Sequence, residues 1–454
     1  MITANLLSKY DRPVPRYTSY PTVPQWEEAI DVHKWESNFS AQFRLENQRN
    51  GVSLYIHLPF CESLCTYCGC NKRITTNHKV EDEYIAAIQK EWQLYLRLMP
   101  QRPVLRELHL GGGTPTFFSP SNLEKLLKPI LNSAIVPEDH IFSFEGHPNN
   151  TTYDHLKALY DLGFRRVSYG VQDNDPEVQR IINRIQPFYK VQEVTEIARE
   201  IGYTSVNFDL IYGLPKQTTE SMEKTLQTVL SLRPDRVAFY SYAHVPWTSR
   251  SQRLFDESDL PTAEVKMQLY RLGKFQFALH GYQDVGMDHF ALPGDELFKA
   301  RENGSLHRNF MGYTTQSTNL LIGLGVSSIS DTGNAYAQNT KSLREYYDEI
   351  AASKLAIRKG YFLDKEDQTF KRYILDISCK GETQFRQDDL PLLEEFCFPM
   401  LEELSEDGIV EWNRSGLRLT GRGHHFIRIV CSAFDLFIQR RKQTMQEVQY
   451  SKAI

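Results

Sequence analysis

Four of the seven cysteines of this chain lie within the ten residues from Cys61 to Cys70. The first three, Cys61, Cys65 and Cys68, follow a C-x3-C-x2-C spacing, and Cys70 comes one glycine later. Three thiolates on one short loop suit an iron–sulfur cube, because each binds a different iron and one iron stays open for a small molecule. The spacing therefore predicts a [4Fe-4S] cluster held by Cys61, Cys65 and Cys68.

A structural zinc ion is the alternative for this loop. Such ions usually take four closed ligands from two separated pairs, and here no second pair accompanies the first. Cys68 and Cys70 are also too close in sequence to wrap comfortably around one tetrahedral ion. In a cube that keeps one iron open, a fourth ligand would block that iron, so the spacing assigns Cys70 no role. Cys379, Cys397 and Cys431 have apolar neighbours and are expected to be buried.

The composition excludes several classes of protein. The chain has 52 basic and 57 acidic residues, a net charge of −5, which does not suit a nucleic-acid binder. No apolar run approaches the roughly 18 residues that span a membrane, and the first residues lack the apolar core of a signal peptide. We therefore expect a cytoplasmic protein, in which a cysteine cluster binds metal or does redox chemistry rather than forming disulfides.

The elements that must position this loop alternate between strand and helix. Six short segments rich in β-branched and aromatic residues each precede a segment with helical periodicity, from about residue 51 to about 300. Such alternation implies parallel strands with right-handed crossovers. It predicts an α/β fold, a partial (β/α)6 barrel, with a doubly wound open sheet as the alternative. In both folds the chemistry lies at the carboxyl ends of the strands, where the cysteine loop follows the first strand.

Two further regions flank the predicted barrel of residues 51–355. Residues 1–50 form an N-terminal arm, and its stretch DRPVPRYTSYPTVP should not be helical because X-Pro steps favour extended chain. Residues 356–454 are mostly helical with one short strand pair, GIVEWNRSGLRLT, which is typical of a winged-helix-like domain. Winged helices often bind DNA, but basic residues are not concentrated on a recognition helix here except in LTGRGHHFIRIV, whose charges are interpreted as a solvent-exposed face.

Several motifs resemble one enzyme family. The spacing C-x3-C-x-aromatic-C, with Tyr67 as the aromatic residue, resembles the signature of the radical S-adenosylmethionine (SAM) superfamily. Almost end to end, the chain resembles the oxygen-independent coproporphyrinogen III oxidase family within it. The matching segments are RYTSYPT (16–22), YIHLPFC (55–61), CGCNK (68–72), LHLGGGTPT (108–116), YGVQD (169–173), NFDLIYGLPKQT (207–218), GMDHFA (286–291), HRNFMGYTTQ (307–316) and GVSSIS (325–330). The three-cysteine spacing alone indicates only the superfamily, whereas the arm, Cys70 and HRNFMGYTTQ are far more specific.

The resemblance implies a reaction in haem biosynthesis. Two propionates of coproporphyrinogen III would be decarboxylated oxidatively to vinyl groups by a 5′-deoxyadenosyl radical, giving protoporphyrinogen IX. It also implies a [4Fe-4S] cluster and two SAM molecules, one on the cluster and one beside it. We expect a monomer reduced by an external electron donor such as flavodoxin or ferredoxin.

Two other functions remain open from the sequence. One is a different radical SAM reaction on a porphyrin, such as methyl transfer or ring opening. The other is a haem-binding chaperone, which shares the barrel and the cluster but typically lacks the arm and the fourth cysteine. Such chaperones carry an His-Asn-x-x-Tyr-Trp motif that is absent from this sequence.

Positions at the predicted strand ends are the candidates for SAM binding. Glycines let backbone groups approach a ligand, and in the family the loop of Gly112, Gly113 and Thr114 contacts the methionine part of SAM. Glu145 suits the ammonium or ribose hydroxyls of the ligand, and Arg184 can hold its carboxylate with two parallel hydrogen bonds. The remaining cofactor-binding candidates are Tyr55, Tyr67, Gln172, Asp209, Ala243 and Ile329.

The resemblance also implies catalytic residues, namely Glu145, Phe310, Met311 and Ile329. A substrate with four propionates requires local positive charge. The candidates near predicted site loops are His57, Lys72, Arg73, His289, His307 and Arg308. The arm, with Arg16 and Tyr20, is expected to help close the barrel.

Two departures from the family lie near the inferred second SAM or the substrate. The family usually has Glu-Val-Asp-Pro where this chain has Glu-Gly-His-Pro, with Gly146 and His147. It usually has glutamine at the position of Met311. Neither departure affects the cluster chemistry. We interpret them as sequence drift, and an altered activity within the same subfamily is the alternative.

Overall fold

A computed structural model of the chain describes residues 4–247 and 249–442. Its strands are β1 (Glu27–Glu28), β2 (Val52–Leu58), β3 (Phe60–Cys61), β4 (Arg73–Ile74), β5 (Leu105–Gly112), β6 (Ile141–Gly146), β7 (Arg166–Gln172), β8 (Ser205–Tyr212), β9 (Arg236–Ser241), β10 (Gln283–Asp284), β11 (His289–Ala291), β12 (His307–Asn309), β13 (Gly312–Thr314), β14 (Leu321–Leu324), β15 (Ile329–Asp331), β16 (Ala335–Asn339), β17 (Ile357–Phe362), β18 (Glu382–Gln384), β19 (Val410–Asn413) and β20 (Gly416–Leu419). Its helices are α1 (Ala4–Tyr10), α2 (Val32–Glu46), α3 (Val80–Leu98), α4 (Pro120–Ser133), α5 (Tyr153–Asp161), α6 (Pro176–Ile181), α7 (Phe188–Ile201), α8 (Thr219–Ser231), α9 (Ala263–Leu279), α10 (Glu296–Glu302), α11 (Leu343–Ala351), α12 (Lys365–Lys380), α13 (Leu390–Leu392), α14 (Phe398–Glu406), α15 (Ile427–Ala433) and α16 (Leu436–Lys442).

The main sheet has thirteen strands among the described residues, in the order β1-β17-β16-β15-β14-β2-β5-β6-β7-β8-β9-β11-β10. Its middle part, from β14 to β9, is parallel throughout. Strands β2 and β5 to β9 are the six predicted strands, so the α/β pattern is confirmed. Strand β14 adds a parallel neighbour to β2 that the pattern does not reveal, because it has only four residues and follows a hairpin rather than a helix.

The inner face of this sheet surrounds one cavity. Alternate side chains of a strand point to opposite faces, and in β8 Val206 and Phe208 are fully buried under the helices. Asn207 and Asp209 point the other way and line the cavity, together with residues from β5, β6, β7 and β9. Five neighbouring strands can face one cavity only if the sheet curves, which is the geometry of a partial barrel rather than of an open sheet.

The first part of the arm, up to Tyr20, packs onto the C-terminal region. Of the stretch 11–24 predicted to be non-helical, residues 11–22 contain no helix, and a single 3-10 turn begins at Val23 (Val23–Gln25). Tyr10, Tyr17 and Tyr20 belong to the apolar core of the C-terminal region, and the Tyr17 hydroxyl donates a hydrogen bond of 3.1 Å to Asp435. This core also buries Cys397 and Cys431, which confirms their expected environment; the third isolated cysteine, Cys379, is buried in a neighbouring cluster.

The C-terminal region contains a small antiparallel sheet in the order β18-β20-β19. The predicted strand pair is β19 and β20, and β18 adds a third strand from the loop after α12. Strand β17, at residues 357–362, still belongs to the main sheet. Among the residues that the structure describes, none of the helices is both long and apolar enough to cross a lipid bilayer.

Candidate active site

The cysteine loop follows β2 and is held at both its base and its middle. Strands β3 and β4 pair in parallel, with Cys61 opposite Ile74, so the loop returns on itself. In its middle, the backbone N–H of Thr66 donates a hydrogen bond of 3.0 Å to the carbonyl of Ile182, just after α6. The three predicted ligands thus sit on a loop that is tied to the carboxyl end of the barrel.

Two side chains donate hydrogen bonds to the predicted ligand sulfurs. Thr114 Oγ1 lies 3.4 Å from Cys61 Sγ, and Arg184 Nη1 lies 3.6 Å from Cys65 Sγ. Burial raises the pKa of the Cys61 thiol to about 11. A hydrogen bond from Cys70 lowers the pKa of Cys68 to about 6. The hydrogen bonds from Thr114, Arg184 and Cys70 favour the thiolate, which is the form that binds metal, whereas burial of Cys61 opposes it.

The donor set fits an iron–sulfur cluster. Within residues 4–247 and 249–442, no group of three or more His, Cys, Asp and Glu side chains surrounds a point that could hold a single metal ion. A structural zinc ion needs four ligands around one point, whereas three thiols on one loop can each reach a different iron of a cube. The residues that would hold the cluster are therefore Cys61, Cys65 and Cys68.

The glycine turn after β5 packs directly against the cysteine loop. Gly112 has a φ of +112°, and a Cβ there would lie 2.5 Å from the ring of His57. A Cβ on Gly113 would lie 2.6 Å from the backbone of Pro59. The next residue, Thr114, donates its backbone N–H to Phe60 and its hydroxyl to Cys61. These glycines are needed because the turn and the base of the cysteine loop are in contact.

Glu145 joins the glycine turn to a histidine that the sequence analysis missed. Its Oε2 accepts the backbone N–H of Gly112 at 3.2 Å, and its Oε1 lies 3.6 Å from His109 Nε2. The His109 ring stacks on Tyr55, with 6.0 Å between centroids. Burial raises the pKa of Glu145, but His109 and Gly112 lower it more, so it lies below its ordinary value. The sequence does contain a signal for His109, because this residue occupies an inward position of a strand with period-2 patterning.

Arg184 is brought to the cysteine loop by the segment that follows α6. Its Nη2 donates a hydrogen bond of 2.6 Å to the carbonyl of Gly170, while its Nε is buried without a partner among the described residues. Burial and the neighbouring Arg184 lower the pKa of His147, so this imidazole is neutral beside the guanidinium. Gln172 lies at a bulge in β7 with a φ of +66°, and its amide occupies the space where a Cβ on Gly170 would be. Arg184 thus has a free donor at the site.

Asp209 and Met311 line the central cavity with Glu145, and this cavity measures about 130 Å³. Ser168 and Asn207 donate hydrogen bonds to the Asp209 carboxylate. Burial and the negative charge of Glu145 raise the pKa of Asp209 to about 6. Of these two carboxylates, Glu145 is therefore ionised at neutral pH, and the pKa of Asp209 lies closer to neutrality.

Ala243 and Tyr67 are linked by Gln252, which sequence reasoning did not single out. The buried Gln252 amide donates to the carbonyl of Tyr67 at 3.1 Å and to that of Ala243 at 3.2 Å. The Tyr67 side chain packs against an apolar cluster that includes Ile182 and Tyr242. No local pattern marks Gln252, because its role depends on two loops that are distant in sequence.

Phe310 and Ile329 lie together in a separate apolar cluster. It also contains Trp26 and Tyr336, and the Phe310 ring meets these two rings edge to face at 5.8 and 5.7 Å. In the described residues, this cluster includes neither Glu145 nor the cysteines. Phe310 and Ile329 thus pack in this apolar cluster, whereas Met311, next in sequence to Phe310, lines the central cavity.

The candidates for positive charge differ in their surroundings. His57 is held between Tyr55 and the carbonyl of Asn71, and burial lowers its pKa. Lys72 Nζ donates a hydrogen bond of 2.9 Å to the carbonyl of Cys68, and the Arg73 side chain is exposed. His289 donates to Asp288 at 2.7 Å. Burial also lowers the pKa of His307. Arg308 lines a second, separate pocket.

The first departure from the family pattern is accommodated by packing. A Cβ on Gly146 would lie 2.9 Å from the Tyr169 ring and 3.1 Å from Thr151 Oγ1. These two side chains therefore fill the space that a larger residue would need.

A three-cysteine loop after the first strand of a partial barrel, beside a glycine turn, defines the radical SAM class. A family model described as the radical SAM superfamily matches residues 55–229. The cofactors of this class are a [4Fe-4S] cluster and SAM. A solved structure of coproporphyrinogen III oxidase from Escherichia coli, described as a radical SAM enzyme, matches with a TM-score of 0.88 and 36% identity, over 94% of this chain and all of the other.

Curated relatives carry the same name. An oxygen-independent coproporphyrinogen III oxidase of Escherichia coli (strain K12) is 39% identical, over 99% of this chain and 98% of the relative. One of Pseudomonas aeruginosa is 37% identical, over 96% of both chains. The chain belongs to the oxygen-independent coproporphyrinogen III oxidase family.

Proposed function

We propose that this chain decarboxylates two propionate side chains of coproporphyrinogen III oxidatively, giving the two vinyl groups of protoporphyrinogen IX in haem biosynthesis. The observation that carries the proposal is the near-complete match to enzymes of this name, in sequence and in fold. The donor set at the cysteine loop supports it, because Thr114 and Arg184 already point at the sulfurs. When bound, the cluster and SAM supply a carbon radical that abstracts hydrogen.

Each predicted site residue has a proposed task in this reaction. Cys61, Cys65 and Cys68 hold the cluster, and the unpartnered Nε–H of Arg184 binds the carboxylate of SAM. Glu145 stays ionised and binds an ammonium group or ribose hydroxyls, positioned by His109 and Gly112. We assign the other cofactor contacts to Tyr55, Tyr67, Gly113, Thr114, Gln172, Asp209, Ala243 and Ile329.

Phe310 and Ile329 pack with Trp26 and Tyr336 in an apolar cluster next in sequence to Met311, which lines the cavity. We infer that this cluster helps to keep water from the reacting groups. We assign Phe310, Met311 and Ile329 to contacts with the second SAM molecule or with the porphyrinogen. Exclusion of water protects a radical from quenching by side reactions.

The electron that starts each turnover comes from an external donor such as flavodoxin or ferredoxin, which acts on a monomer of this chain. A face next to the cysteine loop supports this proposal. It carries the exposed residues Arg73, Lys341 and Arg344 together with Lys72, around a surface depression that Glu83 and Asp348 also line, which leaves an excess of two positive charges. Positive charge there would attract an acidic donor protein.

The test is an anaerobic assay of the reconstituted protein with SAM, a reductant and coproporphyrinogen III. We expect loss of two CO2 per substrate by product mass spectrometry. A methylated or ring-opened product would instead indicate another porphyrin-modifying reaction, and tight haem binding without SAM cleavage would indicate a chaperone. A Met311→Gln variant belongs in the same assay, because a higher rate in that variant would show that this departure from the family affects turnover.

A further inference from the structure

A second, smaller pocket lies between the arm, the ends of β8 and β9, and helices α9 and α15. Its volume is about 60 Å³, several times the roughly 10–15 Å³ that one water molecule needs. Three arginines line it, Arg16 from the arm, Arg308 from β12 and Arg428 from α15. We call this site the arginine pocket.

Two side-chain nitrogens of Arg308 are buried there without acceptors among the described residues. The residue is only 7% exposed. Its Nε and Nη1 have no hydrogen-bond partner in the part of the chain that the structure describes. Its Nη2 reaches the carbonyl of Arg16 at a long 3.5 Å. A buried guanidinium whose N–H groups lack acceptors is costly. The pocket therefore offers donors to a ligand with acceptor atoms, which the described residues do not supply.

The charges in the arginine pocket do not balance. Among the described residues that line it, Asp288 is the one carboxylate, and it already accepts a hydrogen bond of 2.7 Å from His289. Burial lowers the pKa of His425 to about 4, and that of His424 below its ordinary value, so both are neutral at pH 7. Three guanidinium groups against one carboxylate leave an excess of two positive charges.

The arginine pocket adjoins the central cavity. The Arg308 guanidinium lies 4.6 Å from the centroid of the Tyr313 ring, and that of Arg16 lies 6.0 Å from the centroid of the Tyr240 ring. Tyr240 and Tyr313 also line the central cavity. These two rings therefore lie between the arginines and the space where the reaction is proposed to take place.

We propose that the arginine pocket binds a carboxylate group, and that in the working enzyme this group is one propionate of the tetrapyrrole. A guanidinium matches a carboxylate with two parallel hydrogen bonds, and Arg308 has two unpaired nitrogens to offer. The inference rests on the proposed function for the identity of the substrate. A free small carboxylate shares the same chemistry, so the experiment must separate the two sources.

The test compares the reconstituted holoenzyme with its Arg308→Gln and Arg308→Lys variants. Loss of a charged hydrogen-bonded partner should raise the KM for coproporphyrinogen III roughly tenfold to a hundredfold, with a much smaller change in kcat. Arg308→Lys keeps the charge and should give an intermediate KM. Iron content and melting temperature establish that each variant is folded and loaded, and Arg16→Gln provides a second variant if Arg308→Gln does not fold.

The matched control is Arg414→Gln, which removes an arginine whose side chain is 74% exposed and paired with Glu394. It should leave the KM unchanged. A wild-type KM in both Arg308→Gln and Arg16→Gln would overturn the inference. If the wild-type protein does not convert coproporphyrinogen III at all, the proposed function fails instead.

A binding measurement separates the two sources of carboxylate. Sodium propionate should raise the melting temperature of the wild-type protein more than sodium chloride of equal ionic strength, and Arg308→Gln should lose this difference. If propionate protects in this way while the KM of Arg308→Gln stays at the wild-type value, the occupant is a free carboxylate and the substrate part of the proposal is wrong. If propionate gives no protection and the KM does not change, the whole proposal is wrong.

Discussion

The cysteine loop and the arginine pocket each gather groups of one chemical kind, but over very different lengths of chain. The three thiols come from the eight residues 61–68 of one loop, fixed by the β3–β4 pair and the glycine turn. The three arginines come from positions 16, 308 and 428. Short loops close at little entropic cost, whereas distant segments meet only in the finished fold. Substitutions within the loop and the adjoining glycine turn should therefore disrupt the cysteine site. Ligand binding in the arginine pocket should instead respond mainly to changes of side-chain charge.

The largest effect is expected from Cys61→Ser. Loss of one thiolate should reduce the iron content of the reconstituted protein from about four atoms per chain to near zero, and SAM cleavage should fall to background. The control is Cys70→Ser, which removes the thiol that donates a hydrogen bond to Cys68 and is not one of the three predicted ligands. Iron analysis that shows loss of the cluster in Cys70→Ser would refute the division into three ligands and one accessory thiol.

Gly112→Ala tests whether the cysteine loop depends on local contact. The φ of +112° and the approach of the new Cβ to 2.5 Å from His57 should cost about 2–4 kcal/mol of unfolding free energy. Gly69 is the matched control within the same loop, because a Cβ there meets nothing within 4 Å. Urea unfolding should show a lower midpoint for Gly112→Ala alone, and equal losses in both variants would contradict this explanation.

Asp288→Asn tests the charge balance of the arginine pocket. His289 and nearby arginines lower the pKa of Asp288 to about 2 against the effect of burial, so the substitution removes a negative charge at every pH near neutrality. We expect propionate to bind roughly threefold more tightly, as measured by the concentration dependence of the melting temperature. Weaker binding would show that Asp288 positions an arginine rather than opposing the ligand.

The smallest effect concerns pH and His425. Burial lowers its folded-state pKa to about 4, whereas an unfolded histidine takes up a proton near pH 6.5. The unfolded state therefore binds more protons between these values, and stability falls as the pH drops from about 6.5 towards 4. His425→Phe keeps a ring beside Tyr270 and should lose less melting temperature between pH 7 and pH 5 than the wild type. Parallel curves for the two proteins would assign no pH sensitivity to His425.

The contrast between the cysteine loop and the arginine pocket also explains which features of the structure could be predicted from the sequence. The cysteine spacing and the glycine turn are local patterns, and the six parallel strands each carry enough residues for periodicity to be visible. Strand β14 and the β12–β13 hairpin have only three or four residues per strand, too few for a pattern. Gln252 and the unpartnered nitrogens of Arg308 have no local signature, because burial and missing partners are properties of the packed structure.

The position of the arm has a consequence for the order in which parts of the protein fold during synthesis. Tyr17 and its partner Asp435 are 418 residues apart, and Tyr20 accepts a hydrogen bond from the backbone of Leu436. At about 5–20 residues per second, a ribosome needs roughly 20 to 80 s between the two segments. The barrel strands emerge during that interval and can pair without the arm. Although the arm is made first, it therefore docks only after the barrel strands and most of the C-terminal region have been synthesised.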